Sequence, residues 1–600
     1  MAQIGAEISQ RVWKAKYRYQ QEGTIADSWR RVACALAAVE TKDKEAWEER
    51  FFGILQDFQF LPGGRIQAGA GTERSVTLFN CFVMGSIEDS IPGIFAALEE
   101  GAITMQQGGG IGYDFSTLRP RGAQAKAVGA VASGPVSFMH VWDAMCGTIL
   151  STGARRGAMM ATLRCDHPDI EEFIVAKQQP GALRRFNLSV QVTDAFMGAV
   201  QQDAEWPLVF PAATLVGKGE TLLRDWPGFD EPAPCRIVRH VHARELWDLI
   251  LRATYEYAEP GVLFIDQINR LNNLWYRERI SATNPCGEIP LPPYGACDLG
   301  SINLTRFVSS PFSPQAQLEI EALKDTAQLA VRLLDNVIDA SRFPLPKQAE
   351  RARGTRRIGL GITGLADALL MLGLPYGSDE SLTFARETMS LICHTAYRAS
   401  VALAKEKGSF PYLDRDKYLE GEFIHRLPQD IRQGIAEKGI RNSHLIAIAP
   451  TGTISLLAGN VSSGLEPIFA AAYGRKILDE NGNPEELCLT DYAVQLWRAA
   501  SANAKGFPPG FVTVDDIPVR AHLDMQAALQ PFVDNSISKT INVPEDCPFP
   551  EFRKIYDVAY EKGLKGCTTF RPNPVTGAVL SGADDSAEAP HCCVLEREAD

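Results

Sequence analysis

Reactive side chains are densest in the stretch Asn284-Pro285-Cys286-Gly287-Glu288-Ile289-Pro290-Leu291, which is followed by Ala296-Cys297-Asp298-Leu299. Prolines at 285, 290, 292 and 293 forbid a helix. Cys286 is therefore expected in a rigid loop, between an amide and a carboxylate. A thiol held that way can be a nucleophile, a redox centre or a radical carrier. The competing reading is a small buried core residue. Zinc fits Cys286 and Cys297 poorly, because a ten-residue gap without a C-x-x-C knuckle is not ligand spacing.

A second cluster, Pro450-Thr451-Gly452-Thr453-Ile454-Ser455, follows the apolar run Leu445 to Ala449. Strand, then Gly and hydroxyl residues, then a helix start is an arrangement for holding an anion on backbone N–H groups. It lacks the lysine of a triphosphate-hydrolysing loop, and such turns also cap helices that hold no ligand. The run Gly108-Gly109-Gly110-Ile111-Gly112 follows a helix rather than a strand, so it is not a dinucleotide fingerprint. It does permit close backbone approach. Arg155-Arg156, flanked by Gly153 and Gly157, reads as a mobile basic loop or a solvated turn.

The elements that must position these residues are legible from periodicity. Trp13, Tyr17, Trp29, Val32, Leu36, Trp47, Phe51 and Leu55 recur every three or four positions, predicting helices over the first sixty residues. Extended runs are expected at 76–83, 186–192, 261–265, 358–362 and 445–449. Helices are expected at 91–106, 242–258, 315–340 and 382–407. Short extended runs between helical segments indicate parallel β/α architecture. The expected organisation is a helical region over 1–60, one large α/β domain over 61–571 and a mobile tail over 572–600, where periodicity is lost.

The 600 residues are 45% hydrophobic and 22% charged, as in ordinary globular chains. A net charge of −13 argues against nucleic acid as partner. No apolar run is long enough to span a bilayer, and Met1 to Glu7 shows no secretory signal, so no membrane association and a cytoplasmic location are expected. Thirteen cysteines in such a chain need an explanation other than structural disulfides.

Taken together, the N-x-C-x-E loop, the cysteine eleven positions on, the Phe79-Asn80-Cys81 strand and the P-T-G-T-I-S turn occur in one order. In that order they resemble the catalytic chain of ribonucleotide reductases, most closely the adenosylcobalamin-dependent class, over roughly Trp13 to Arg571. The resemblance implies a ten-stranded α/β barrel with a central finger loop at Asn284 to Glu288. It implies that Cys286 becomes a thiyl radical and takes the ribose 3′ hydrogen. Cys81 and Cys297 would deliver two electrons and close a disulfide, Glu288 would accept the 3′-hydroxyl proton, and Asn284 would hold the substrate. Asn80, Gly110, Thr451, Gly452, Thr453 and Ile454 would bind the ribonucleotide, the last four at its phosphates. Asp89 and Arg119 match positions for an allosteric deoxynucleotide or ATP at a homodimer interface. Arg121 and Lys126 fall in one specificity loop, and Arg155 and Arg156 in a second.

The strand Gly566-Cys567-Thr568-Thr569-Phe570 has no tyrosine pair for a radical relay, and the tail has no glycyl-radical motif. Adenosylcobalamin remains as the expected cofactor, with no resident metal site. The resemblance also predicts no N-terminal activity-control cone, and favours diphosphate substrates. Adjacent Cys592 and Cys593 are the candidates for relaying electrons from a thioredoxin-like reductant, while Cys34, Cys146, Cys165, Cys235, Cys393, Cys488, Cys547 and Cys567 are expected to be core residues. The rival readings are a large subunit dependent on a separate radical-bearing chain, and a non-catalytic nucleotide-binding regulator on the same fold.

Overall fold

Capped, amphipathic segments make the N-terminal region helical. α1 (Glu7–Val12), α2 (Ile25–Ala37) and α3 (Lys44–Leu55) succeed one another. At the start of α2 the Thr24 amide donates to Asp27 Oδ2 at 2.8 Å, half of a capping box. Trp13, Trp29, Val32, Leu36 and Phe51 are buried, as their spacing requires. The computed structural model describes residues 7–124, 131–151, 155–179, 181–229, 231–478, 484–500, 506–572 and 581–582.

Ten strands make the main sheet: β1 (Phe60–Pro62), β2 (Cys81–Val83), β3 (Gly110–Asp114), β4 (Met159–Arg164), β5 (Phe186–Val192), β6 (Gly261–Phe264), β7 (Ala296–Asn303), β8 (Ile358–Thr363), β9 (Thr540–Asn542) and β10 (Gly566–Phe570). The order is β1-β7-β2-β3-β4-β5-β6-β10-β9, with β8 also paired to β7. β2 to β6 are mutually parallel, as are β7 with β8 and β9 with β10. The first of these groups meets the other two antiparallel, at β7–β2 and at β6–β10, and β1 is antiparallel to β7. Helices α4 (Ile91–Gln106), α5 (Pro135–Thr148), α6 (Ile320–Ala340) and α7 (Asp379–Lys407) fall between strands in the chain. Ser90 caps α4 by accepting from the Gly93 amide at 3.1 Å. Arg332 on α6 ties the sheet domain to the N-terminal region, donating from Nε and Nη2 to the Glu40 carboxylate at 2.7 Å each. Among the described residues no helix is long and apolar enough to cross a membrane.

The expected strand at 445–449 is not a regular one. It makes single parallel bridges, Leu360 with Ile446 and Ile448 with Ile537, which put it between β8 and the chain leading to β9. The cause is a buried side chain: the Leu445 and Ile446 amides both donate to the Asp534 carboxylate at 2.8 Å, leaving them no ladder partner. In the glycine run, Gly110 to Gly112 open strand β3. Of the cysteines expected in the core, Cys146, Cys165, Cys235, Cys393 and Cys567 are buried, whereas Cys34 and Cys488 are exposed and Cys547 is intermediate. Arg155 and Arg156 form a two-residue strand paired with Leu150–Ser151 rather than an open loop. Lys126, Cys592 and Cys593 lie outside the described residues, as does most of the tail.

A short hairpin, Ala282–Thr283 against Pro290–Leu291, carries residues 284–289. It is gripped by widely separated parts of the sheet. A Cβ on Gly112 of β3 would stand 1.8 Å from Thr283 O, so only glycine admits the hairpin there. Thr162 Oγ1 of β4 and Gln191 Nε2 of β5 both donate to Ser281 O, at 3.1 and 2.7 Å. From the other half of the sheet, Arg357 Nη1 donates to Pro290 O at 3.1 Å, and the Ser536 amide to Glu288 O at 2.9 Å.

Candidate active site

Cys81 on β2 and Cys297 on β7 are direct partners across the antiparallel pair. Residues so placed have Cα atoms about 4.5–5.5 Å apart, within the range of about 4.4–6.8 Å that a disulfide requires. Both thiols are buried. A small apolar cluster encloses them, with Val83, Ala282, Ile289, Leu291, Leu299, Ala447 and Ala449. Cys81 Sγ donates to Glu288 Oε1 at 3.8 Å, and Cys297 Sγ to Asp298 O at 3.3 Å. Burial, then the Glu288 carboxylate, pushes the Cys81 thiol well above its ordinary range. Burial and the Asp298 carboxylate do the same to Cys297, against a downward pull from Arg357. Both are therefore S–H groups at neutral pH, which is the form that can donate hydrogen.

Asn284, Cys286 and Glu288 share the hairpin tip. Asn284 and Glu288 are buried, and Cys286 is the more exposed thiol of the three. The Gly287 amide donates to Asn284 O at 3.1 Å and the Ile289 amide to Asn284 Oδ1 at 3.0 Å, so the tip is a turn tied by its own asparagine. Gly287 has φ +86°, a left-handed backbone that favours glycine. Burial raises the Glu288 carboxyl from 4.5 to about 7, with the Asn284 amide pulling the other way. Glu288 Oε2 and Asn284 Nδ2 are buried and lack hydrogen-bond partners within the described chain. A buried acceptor and donor left open side by side suit a ligand hydroxyl.

The other expected residues divide. Asn80 O accepts from the Gly110 amide at 2.8 Å, and a Cβ on Gly110 would meet the Pro285 ring at 3.3 Å, so both border the hairpin tip. Helix α8 (Gly452–Leu457) starts at the anion turn, as its residue types predict. Its first amides, at Gly452, Thr453 and Ile454, have no acceptor within the helix. The Thr451 hydroxyl is engaged internally, with Thr363 Oγ1 at 2.9 Å and Ser455 Oγ at 3.0 Å, and accepts from the Gly464 amide at 2.8 Å. Lys16 Nζ, from the N-terminal region, donates to Thr453 Oγ1 at 3.1 Å. Asp89 and Arg119 bond each other, Arg119 Nε donating to Asp89 Oδ2 at 2.7 Å. Arg121 reaches Glu172 at 3.2 Å and is largely exposed.

The comparison with known proteins agrees with this geometry. The family described as ribonucleotide reductase, barrel domain, matches residues 79–570, and ribonucleotide reductase, all-alpha domain, matches residues 6–75. The chain belongs to the ribonucleotide reductases. A vitamin B12-dependent ribonucleoside-diphosphate reductase of Mycobacterium tuberculosis (strain CDC 1551 / Oshkosh) is 39% identical, covering 94% of this chain and 78% of that protein. One from Thermoplasma acidophilum is 36% identical, covering 92% and 69%. A ribonucleoside-diphosphate reductase subunit alpha of Chlamydia pneumoniae is 27% identical, covering 93% and 58%.

Within this ribonucleotide reductase, sequence reasoning missed the side chains that seat the hairpin: Thr162, Asn187, Gln191 and Arg357. A signal was present for two of them. β5 reads Phe-Asn-Leu-Ser-Val-Gln-Val, a strict alternation in which Asn187, Ser189 and Gln191 share one face. Gln191 and Ser189 are nonetheless buried, so that polar face meets protein rather than water. The B12 named for the relatives fits this thiol set in one respect. Cys286 is partly exposed while Cys81 and Cys297 are enclosed, so a bound group outside the chain can reach the first thiol and not the other two. Among the described residues no group of three or more His, Cys, Asp or Glu stands in metal-holding geometry.

Proposed function

We propose that this chain reduces ribonucleoside diphosphates to 2′-deoxyribonucleotides by radical chemistry on Cys286, with cobalamin as the radical source. The observation that carries the reading is the cross-strand register of Cys81 and Cys297, with Glu288 bonded to the first of them. Adenosylcobalamin, when bound, would supply the radical equivalent to which the Cys286 thiol, the more exposed of the three, gives its hydrogen atom. Cys286 then takes the 3′ hydrogen of the ribose while Glu288 accepts the 3′-hydroxyl proton, as a carboxyl near 7 can at neutral pH. The 2′-hydroxyl leaves as water, taking its proton from the buried thiol pair. Cys81 and Cys297 give up two electrons and two protons in all and close a disulfide. One proton goes to the departing water, and the other, with the electron pair, forms the C2′–H bond where the C2′–O bond broke. Glu288 returns its proton to the 3′ oxygen. Cys286 returns its hydrogen to C3′. Asn284 holds the ribose through its open amide, and Asn80 and Gly110 border it. The first amides of α8, at Gly452, Thr453 and Ile454, hold the phosphates, with Thr451 shaping the turn from below. The apolar cluster around the pair keeps water from Cys81 and Cys297.

The ten strands form a barrel around the hairpin, closed through 445–449. The bridges on either side of that segment, and the grip on the hairpin from both halves of the sheet, support this arrangement. The domains divide as a helical 1–60, a catalytic 61–571 and a tail from 572. Asp89, Arg119, Arg121 and the segments holding Lys126, Arg155 and Arg156 bind a nucleotide effector at a homodimer interface. Exposed Ile91 and Phe95 on α4 and Val141 on α5 support a second copy docking beside them. A thioredoxin-like protein restores the pair, with Cys592 and Cys593 as relay. Anaerobic incubation with CDP, dATP, dithiothreitol and adenosylcobalamin is expected to yield dCDP with the native chain and none with Cys286→Ala. Turnover by Cys286→Ala, or turnover by the native chain only when an iron-containing radical subunit is added, overturns the reading.

A further inference from the structure

We propose that Asn187 on β5 is the positioning residue for Cys286, and this rests on Cys286 being the hydrogen-abstracting thiol. Asn187 Nδ2 donates to Pro285 O at 2.7 Å. That carbonyl belongs to the peptide bond joining Pro285 to Cys286, so the bond fixes the peptide plane from which the reactive thiol hangs. Hydrogen bonds inside the tip set its shape, by Gly287 N to Asn284 O and Ile289 N to Asn284 Oδ1. They do not set where the tip stands relative to the sheet. A turn closed on itself moves as a unit on its stem, and Asn187 reaches it from outside.

The stem is held from the same strand face. Gln191, two turns of the pleat further along β5, donates to Ser281 O at 2.7 Å and to Thr162 Oγ1 at 2.9 Å. β5 thus holds the hairpin at its base through Gln191 and at its tip through Asn187. The opposite face of the strand, Phe186, Leu188, Val190 and Val192, is buried in the main apolar core, which leaves β5 no freedom to follow the tip. Asn187 is paired with Met160 of β4, so its backbone is fixed from the side as well. Hydrogen abstraction is steep in distance, and a misplacement of about 1 Å can slow a reaction about a hundredfold. A single short bond to the adjoining peptide is therefore a catalytic determinant even though Asn187 need not touch the substrate.

The test compares Asn187→Ala, Asn187→Asp and the native chain. For Asn187→Ala the expectation is a kcat lower by about tenfold or more with a KM for CDP within about twofold, since binding groups are left in place. In Asn187→Asp a carboxylate faces the Pro285 carbonyl and repels it, whereas the protonated acid restores an O–H donor. Its kcat relative to the native chain should therefore rise as pH falls, while the ratio for Asn187→Ala stays flat. In the cofactor-free protein, iodoacetamide labelling followed by mass spectrometry should show an altered rate at Cys286 and an unaltered one at Cys81. A native kcat in Asn187→Ala, a loss confined to KM, or an unaltered labelling rate at Cys286 overturns the proposal. Should Asn187→Ala not fold, the isosteric Asn187→Asp decides by its pH ratio and labelling. Reduction by Cys286→Ala would instead overturn the reading on which it rests, and the labelling result stands apart from that outcome.

Discussion

Replacing Glu288 by glutamine removes a charge while keeping shape, and the structure predicts opposite consequences for stability and for activity. Burial holds the folded-state carboxyl at about 7 against an ordinary 4.5. Folding therefore favours the protonated form. Below pH 4.5 folded and unfolded chains are both protonated and the residue adds no penalty. As pH rises from 4.5 the unfolded chain ionises and the folded one resists, so stability falls until about pH 7, then levels off. At about 1.4 kcal/mol per pH unit, the full penalty is about 3 kcal/mol. Glu288→Gln cannot ionise and escapes it. In urea titrations followed by tryptophan fluorescence, the variant should be more resistant than the native chain at pH 8, by about 3 kcal/mol, with the two converging toward pH 4.5. Activity should move the other way. The native kcat/KM should show an acid limb near pH 7, and Glu288→Gln should lose about 10²- to 10⁴-fold. A stability difference that is constant with pH, or a variant weaker than the native chain at pH 8, would refute the reasoning.

Gly112→Ala should lower Tm and abolish dCDP formation, because its Cβ would fall 1.8 Å from Thr283 O and push the hairpin off β3; overpacking of this kind destabilises by about 1–3 kcal/mol. Gly53→Ala is the matched control: nothing lies within 4 Å of its Cβ, and in the body of α3 it should stabilise by about 0.5–1 kcal/mol. Burial raises the Glu40 carboxyl, but bonds from Arg332, Asn336 and Lys407 outweigh it and hold the group at about 2. Its stabilising contribution is present above 4.5 and lost as pH falls toward about 2, so Glu40→Gln should unfold more readily at pH 7 by circular dichroism and show a shallower acid transition.

Elements governed by their own residues were legible in the sequence. Phe186 to Val192 and Ile91 to Gln106 are strand and helix over the residues that periodicity and the Ser90 cap indicate. Elements governed by distant partners were not. The strand predicted over 76–83 shortens to Cys81–Val83, where β3 and β7 supply partners. The 445–449 segment loses its ladder to Asp534, a residue nearly ninety positions away that no local pattern announces. The glycines at 110 and 112 announced close backbone approach, but what approaches them, the Pro285 ring and the Thr283 carbonyl, is absent from the local sequence. The same limit applied to the site. Residue types at Asn284, Cys286 and Glu288 announced chemistry, whereas the asparagine that anchors their loop belongs to a strand a hundred residues earlier.

The pairing of β2 with β7 also sets a timetable for biosynthesis. Cys81 leaves the ribosome more than two hundred residues ahead of Cys297, its cross-strand partner. At about 5–20 residues per second, that edge of the sheet waits some ten to forty seconds for its neighbour. During the wait β2 can lean on β3, which is parallel and emerges soon after, but its other edge stays bare. The nascent sheet thus carries an unpaired strand edge with a reactive thiol upon it, the situation in which chains most readily join the wrong partner. The helical N-terminal region emerges first, but α2 and α3 pack on α6 as well as on each other, so it too is completed only after residue 340. Assembly of the thiol pair is accordingly a late event, and chaperone demand should concentrate in the interval before residue 297 is made.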